Sequence, residues 1–418
     1  MVLQRDDHRG KAVLRFTRAD VAYLTSDAGT AALAEVGRLA LTEATLLAEV
    51  ATARSRYGDR AAVLVETTLL RRRAAAKFAG VDVSHWLFTD EALQQATAAA
   101  VARHRAGRLV GAFVHDATCS IGTELAALRQ TAAGLLGSDL DEVRLAMARH
   151  NLGPGIGLCR ADALAPITGG PAGREVVVLL DPARRSQGRR RFDPTDYRPP
   201  LDRILAIYRD RAAVVKCAPG IDFEAVRRLG FDGEIEVVSA GGSVREACLW
   251  PQALSAPAVR RRATVLDRDG GTAETVTDAD PADCPAGAPG RWIVDPDGAV
   301  VRAGLVRHYG ARHGLWQLDP EIAYLTGDRL PPGVRGFEIL EQVPMREKTL
   351  RAALGAHGCG SLEILVRGVD VDPDALRRRL RPAGAEHMAV VITRIGRGAA
   401  ARATAFVCRP GGASPARR

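Results

Sequence analysis

The run Leu109-Val-Gly-Ala-Phe-Val114 is short and apolar, and His115-Asp116-Ala-Thr118-Cys119-Ser120-Ile-Gly122-Thr123-Glu124 follows it directly. An apolar stretch of strand length that passes through small residues into helix-forming sequence predicts a buried strand, a tight turn and a helix from about Thr123 to Thr131. The alternation continues downstream. Leu135–Asp139 is strand-like and Asp141–Asn151 helical; Leu158–Asp162 is strand-like again; Val176–Leu180 is a fully apolar strand that ends at Asp181. Pro199–Asp210 reads as a helix, Ala212–Lys216 as a strand and Phe223–Gly230 as a short helix. Buried strands alternating with helices imply a parallel sheet in an α/β fold. Such a sheet binds ligands at the carboxyl ends of its strands, beside the point where strand order reverses.

Acids stand at four consecutive strand ends: Asp116, Asp139 23 residues later, Asp162 a further 23 on, and Asp181 19 residues beyond that. Together they outline a nucleoside site. A carboxylate at Asp139 can accept both hydroxyls of a ribose, and Asp162 is placed to read an adenine amino group. Leu140 and Ala163, which follow these two acids, join the candidate set. A dinucleotide site would need a Gly-x-Gly-x-x-Gly turn facing pyrophosphate. Here the turn opens with an acid and carries one late glycine, Gly122, which disfavours phosphate and suits a cationic ligand. S-adenosylmethionine fits: its ammonium would lie near Asp116, and it has no phosphate.

Outward from this core the composition is that of a soluble globular protein. Of 418 residues, 47% are hydrophobic and 26% charged, enough for two or three domains with sizeable cores. The longest apolar runs fall well short of the ~20 residues of a spanning helix. The first residues lack the apolar core of a signal peptide, so a cytoplasmic location is expected. The seven cysteines form no Cys-x-x-Cys pair, and the histidines are scattered, so no metal site is expected. The net charge is +9. It fits a phosphate-bearing partner, yet four lysines against 54 arginines, with abundant Ala and Gly, fit a GC-rich coding bias equally well. Ala19–Leu24, Ala31–Arg56 and Arg60–Phe78 are expected to be helical. After residue 336, Phe337–Gln342, Arg346–Ala356, Leu362–Val366, Pro373–Leu380, Ala389–Arg394 and Ala403–Cys408 read as β-α-β-α-β-β.

The order Asp116, Gly122, Asp139, Asp162 and Asp181-Pro182 resembles class I S-adenosylmethionine-dependent methyltransferases. A closer likeness is to a bacterial group of methyltransferases with a THUMP-like C-terminal domain. It covers roughly residues 65–408. It rests on the basic helix Leu69–Phe78, on Leu87-Phe-Thr89 with Ala92-Leu-Gln-Gln-Ala-Thr97, on Lys216-Cys-Ala-Pro-Gly-Ile-Asp222, on Leu318–Thr326 and on Leu362–Gly368. The resemblance implies a Rossmann-like α/β methyltransferase sheet, a helical N-terminal region and a small α+β C-terminal part, ferredoxin-like plus THUMP-like. The expected divisions are 1–85 helical, 86–252 catalytic, 253–335 ferredoxin-like, 336–410 THUMP-like and 411–418 a tail without order. It also implies S-adenosylmethionine as cofactor, Thr97 and the turn residues Thr118 and Ser120 as cofactor contacts, and structured RNA (tRNA or rRNA) as the substrate class.

Thr118 and Ser120 stand where the family turn usually carries glycines. Amino-methylating enzymes of nucleic acids show Asp/Asn-Pro-Pro-Tyr/Phe at the fourth strand; here Asp181-Pro182 continues into Ala183-Arg184, so a guanidinium replaces the aromatic ring. The expected chemistry is in-line methyl transfer to an exocyclic amine. Asp181 and the carbonyl of Pro182 would accept its hydrogens, Arg184 would stack on the base, and Lys216 joins the catalytic set. Cys217 is an alternative nucleophile or a buried thiol. Arg185, Arg189, Arg190 and Arg191, and on a later helix Arg377 and Arg378, are candidate phosphate contacts or solvated faces. A non-catalytic RNA-binding protein of the same fold, and a methyltransferase acting on a protein or small molecule, stay open as alternatives.

Overall fold

The computed structural model describes residues 3–5, 12–168, 176–184, 196–396, 398 and 401–412. The chain divides into two compact units: residues 1–233 with 246–255 and 268–271, and residues 234–245 with 256–267 and 272–418.

The first unit is built on parallel strands β1 (Phe113–Asp116), β2 (Gly134–Asp139), β3 (Gly157–Arg160), β4 (Val176–Leu180) and β5 (Ala213–Cys217). Their order is β3-β2-β1-β4-β5, so the sheet reverses direction between β1 and β4. Residues Ala247–Leu249 pair antiparallel with β5. Val177, Val178, Leu179 and Leu180 of β4 and Val214 and Val215 of β5 are buried because helices cover both faces of such a sheet. The covering helices start at acids: Asp141 accepts from the amides of Val143 and Arg144 to open Glu142–Leu152, and Asp222 caps Phe223–Arg228 in the same way.

The N-terminal helices belong to this unit. Arg18–Leu24 opens with a capping box between Thr17 and Asp20. The expected helical stretch 31–56 is instead two helices, Asp27–Val36 and Leu46–Tyr57. The break has a physical cause. Arg72, from helix Ala61–Lys77, donates to the carbonyls of Gly37, Leu39 and Ala40, while Glu49 accepts from the amides of Ala40 and Leu41. Those groups satisfy backbone that would otherwise need helical partners. Phe88 stacks on both Phe78 and Trp86 at 6.1 Å in the core joining these helices to Ile121 and Met147.

In the second unit, Glu234–Ala240 pairs parallel with Arg261–Leu266, which pairs antiparallel with Thr272–Thr277. Sequence reading assigns no strand at 234–240, because Glu234 and Glu236 interrupt the apolar pattern. Both acids are buried and matched: Glu234 by Arg262 at 2.8 Å, Glu236 by the Thr264 hydroxyl at 2.6 Å. A seven-stranded sheet follows, in the order Trp316–Asp319, Ile322–Gly327, Trp292–Val294, Gly336–Pro344, Arg402–Gly411, Glu386–Ile395, Cys359–Arg367. Residues 336–411 have the expected β-α-β-α-β-β order, with Glu347–Ala356 and Pro373–Leu380 as the helices. Ala389, Val390, Val391 and Ile392 are fully buried: Val390 and Ile392 pack with Leu350 and Leu376 of the two helices, Ala389 and Val391 with Tyr324 and Phe337.

Candidate active site

A cavity of about 410 Å³ opens at the carboxyl ends of β1 to β4. Asp116, Thr118, Ser120, Asp139, Leu140, Asp162, Ala163 and Asp181 all line it. The strand-end acids that lie 19 to 23 residues apart in sequence therefore meet around one space. Gln95, Ala96, Ile121, Glu124, Arg144, Ala183, Arg198, Pro199 and Pro200 are further parts of its wall.

The turn after β1 is cross-braced. The amide of Thr118 donates to Asp116 Oδ1 at 3.3 Å, and the amide of Ser120 donates to Asp139 Oδ2 at 2.9 Å. Ser120 takes a left-handed φ of 48°, a conformation glycine would adopt more readily. At Gly122 glycine is required. Its φ is 89°, and a Cβ there would stand 2.7 Å from a methyl of Leu152. Buried Asn151 holds the turn to the preceding segment: it accepts from the amide of Leu87 and donates to the carbonyls of Leu87 and Ile121. Thr118 has a second bond. Its hydroxyl accepts from the amide of Asp181 at 2.6 Å and ties the β1 turn to the end of β4. The side chain at the usual glycine position thus fixes the backbone of the candidate catalytic acid.

Behind the cavity lies a buried ionic network. Lys216, at the end of β5, donates from Nζ to Asp181 Oδ2 at 2.5 Å and to Glu124 Oε1 at 3.2 Å. Arg105 bridges Glu124 and Glu246. Burial alone would raise the Glu124 carboxyl, but Arg105 and Lys216 outweigh it and hold it at about 2. The Lys216 ammonium is held above its ordinary range: burial opposes this, and Asp181 and Glu124 overcome it. Asp116 is pushed up to about 8, by burial first and then by the negative charge of Glu124, with Lys216 pulling the other way. His115 sits on β1 with one ring nitrogen on Ser138 and the other on Thr168; burial brings it down to about 4, so it is neutral at pH 7.

Other expected site residues fall elsewhere. Thr97 is buried and bonds to Glu124 rather than lining the cavity, and Gly122 shapes the turn without lining it. Pro182 is buried behind Asp181, and Lys216 reaches the cavity only through Asp181 and Glu124. Burial drives the Cys217 thiol well above its ordinary range, and Cys217 does not line the cavity, which leaves no thiolate for nucleophilic attack. Arg184 pairs with Tyr197 in a short ribbon, Ala183–Arg184 against Tyr197–Arg198. The Arg184 side chain and all of Arg185, Arg189, Arg190 and Arg191 lie outside the described residues. So do residues 413–418 of the expected tail. Arg377 is half-buried and already engaged, by the carbonyl of Leu362 at 2.9 Å and by exposed Asp374 at 2.5 Å. Arg378 faces a cleft of about 900 Å³ in the second unit, with Arg351, Arg379 and Arg381. Sequence reading missed Arg105, Glu246, Arg144 and Arg198. Glu124 lay inside the deciding stretch, two residues past the turn glycine, and was the one legible signal.

The cavity suits a nucleoside with a cationic tail. Its size is that of a small-molecule site. Five carboxylates line it against two arginines, and one of these, Arg144, is paired with Glu91 and Asp141. Half-exposed Leu140 offers an apolar face beside Asp139. Among the described residues no cluster of His, Cys, Asp or Glu can hold a metal, and no helix is long and apolar enough to cross a membrane.

A parallel sheet with an acid-lined cavity at its switch point defines the class: a Rossmann-like fold. Comparison with known proteins gives the family. Two relatives in Mycobacterium tuberculosis, from strains CDC 1551 and H37Rv, are 65% identical over 364 residues, spanning 85% of this chain and 99% of theirs; each is described as an uncharacterized S-adenosylmethionine-dependent methyltransferase. The chain belongs to the S-adenosylmethionine-dependent methyltransferases, and S-adenosylmethionine is its cofactor. The profile described as THUMP domain-like matches residues 334–410, and a family described as a domain of unknown function matches residues 17–74. A crystal structure assigned as a methyltransferase, from Porphyromonas gingivalis W83, shares the fold, with a TM-score of 0.73 over 95% of this chain and 99% of that one at 18% identity.

Proposed function

We propose that the enzyme methylates a base of structured RNA, tRNA or rRNA, at an exocyclic amine. The observation that carries this reading is the double fixation of Asp181, through its amide by Thr118 and through Oδ2 by Lys216. Its side chain is 37% exposed, and among the described residues Oδ1 has no hydrogen-bond partner. A fixed carboxylate with one open oxygen accepts a hydrogen bond from an amine whose nitrogen becomes positive during transfer.

In this reading Asp139 and Asp162 hold the ribose and adenine ends of the cofactor, Leu140 and Ala163 flank the base, and Asp116 faces the ammonium. S-adenosylmethionine supplies the activated methyl group. Asp181 orients the acceptor amine and takes up the proton that the amine loses; Pro182, buried, shapes the chain beside it. Lys216 is a positioning residue that holds the Asp181 carboxylate in place. Arg378 and its neighbours Arg351, Arg379 and Arg381 are candidate phosphate contacts in the THUMP-like part, and this part supports RNA over a protein or small-molecule acceptor.

Calorimetric titration with S-adenosylmethionine, followed by transfer of its tritiated methyl group to RNA, tests the proposal. Micromolar binding is expected, weakened at least tenfold by Asp139→Ala, because a ribose loses its acceptor. Unchanged affinity in the variant would remove Asp139 from the site. Absence of label in RNA would refute the substrate class.

A further inference from the structure

We propose that Arg198 binds a phosphate of the acceptor nucleotide, next to the base that receives the methyl group. The inference rests on the RNA reading above and adds the group that recognises the acceptor inside the catalytic cavity.

Arg198 lies in the ribbon that returns to the site after β4. Its Cα is paired with that of Ala183, two residues beyond Asp181, and both line the cavity. The ribbon is held from three sides. It pairs with Ala183–Arg184; the Tyr197 hydroxyl, buried, accepts from the amide of Ala218 just beyond β5 at 2.9 Å; and Pro199 and Pro200 follow immediately with fixed φ. Arg198 itself is exposed, so a charged side chain is carried at the rim of the cavity by a backbone that is paired on one side and followed by two prolines.

The charges around it say what it awaits. The cavity wall carries the carboxylates of Asp116, Glu124, Asp139, Asp162 and Asp181 and two guanidinium groups. Arg144 is engaged by Glu91 at 2.5 Å. Arg198 forms no ion pair among the described residues, although it borders an acid-rich space. A cation that leaves those acids alone is available for an anion arriving from outside. Its position selects the acceptor over the donor. The acids assigned to the nucleoside stand at the end of β2 and just beyond β3, whereas Arg198 is paired to the chain leaving β4, on the side of Asp181. A guanidinium grips phosphate through two parallel hydrogen bonds and so orients as well as attracts. That makes one phosphate contact a register mark for the base presented to Asp181.

The test uses the full chain, tritiated S-adenosylmethionine and total RNA from cells in which the gene is deleted, with variants R198Q and R198K. The concentration of RNA giving half-maximal labelling is expected to rise about tenfold in R198Q and less in R198K. The slope of log affinity against log salt is expected to shrink by about 0.7–0.9, the loss of one phosphate contact. Affinity for S-adenosylmethionine and the unfolding midpoint should stay within twofold and within a degree or so of the wild type, respectively. Labelled RNA with an unchanged half-maximal concentration and salt slope in R198Q overturns the inference and leaves the RNA reading standing. A matching loss of S-adenosylmethionine affinity assigns Arg198 to the donor and also overturns it. No label with the wild type defeats the RNA reading, and the inference with it.

Discussion

The cavity of the first unit and the cleft of the second handle charge in opposite ways. In the first, Arg105, with 2% of its side chain exposed, bridges two buried glutamates, and buried Lys216 bridges Glu124 and Asp181. In the THUMP-like part, Arg351 and Arg379 share Glu347 with about half of each arginine side chain in solvent. Surface pairs contribute little because water already solvates both partners. Buried ions must recover a large desolvation penalty and do so only with near-complete pairing. The first arrangement therefore sets the protonation and orientation of carboxylates at the cavity, and the second leaves guanidinium groups free to exchange partners.

The largest effect should come from breaking the buried network. Arg105→Met removes the cation between Glu124 and Glu246: Glu124 keeps Lys216, and Glu246 loses its direct partner. It should destabilise the first unit by about 3–5 kcal/mol, read as faster hydrogen exchange in peptides of β1 to β5, with peptides of 336–411 little changed. Adding Glu246→Gln should recover part of the loss. A loss below about 1 kcal/mol would put this network in the same class as the surface pairs.

Next is catalysis. Asp181→Asn keeps the shape but gives up the carboxylate that Lys216 positions. Methyl transfer should fall by about 100-fold or more, with S-adenosylmethionine affinity within threefold of wild type. A large loss of cofactor affinity in place of turnover would make Asp181 part of the donor site.

A smaller, pH-dependent effect follows from Asp116. Its folded-state value, about 8, lies far above the ordinary 3.8. Between those values the native state holds a proton that the unfolded chain has released. This group therefore favours folding at low pH, and its contribution is lost as pH rises through 8. The groups facing it are Glu124, Asp181 and Lys216. A cofactor ammonium beside Asp116 favours the ionised form, so binding at pH 6.5 should release up to about one proton. Calorimetry in two buffers of different ionisation enthalpy measures it. Asp116→Asn should abolish the release and weaken binding about tenfold. Proton release that persists in the variant would assign it to another group.

Much of this site was legible because its acids fall at strand ends, where an apolar run stops and a single carboxylate stands out. Asp116, Asp139, Asp162 and Asp181 could be found in that way, and the fold with them. Arg105 could not. It sits in Val-Ala-Arg-His-Arg-Ala-Gly-Arg, among three other helical basic residues, and only the strand carrying Glu246, more than a hundred residues on, distinguishes it. Arg198 was hidden for the opposite reason, since an arginine before two prolines reads as loop. The role of Thr118 as an anchor for Asp181 was invisible because sequence compares Thr118 only with the glycine it replaces. The break after Val36 depends on Arg72, from a helix two elements later, and local propensity cannot report that.

The smallest effect is the one that completes the contrast. Arg351 donates to Glu347 at 2.7 Å and to the carbonyl of Arg379 at 2.7 Å, with 53% of its side chain exposed. Arg351→Met should cost less than about 1 kcal/mol, since Glu347 keeps Arg379 and water replaces the rest. Hydrogen exchange of peptides 347–356 and 373–380 should move only slightly, and RNA affinity should fall with a salt slope reduced by about 0.7–0.9 if the cleft meets phosphate. A loss of 3 kcal/mol or more would show that the cleft arginines are structural, in the manner of Arg105, and would remove the cleft from consideration as a surface that exchanges partners.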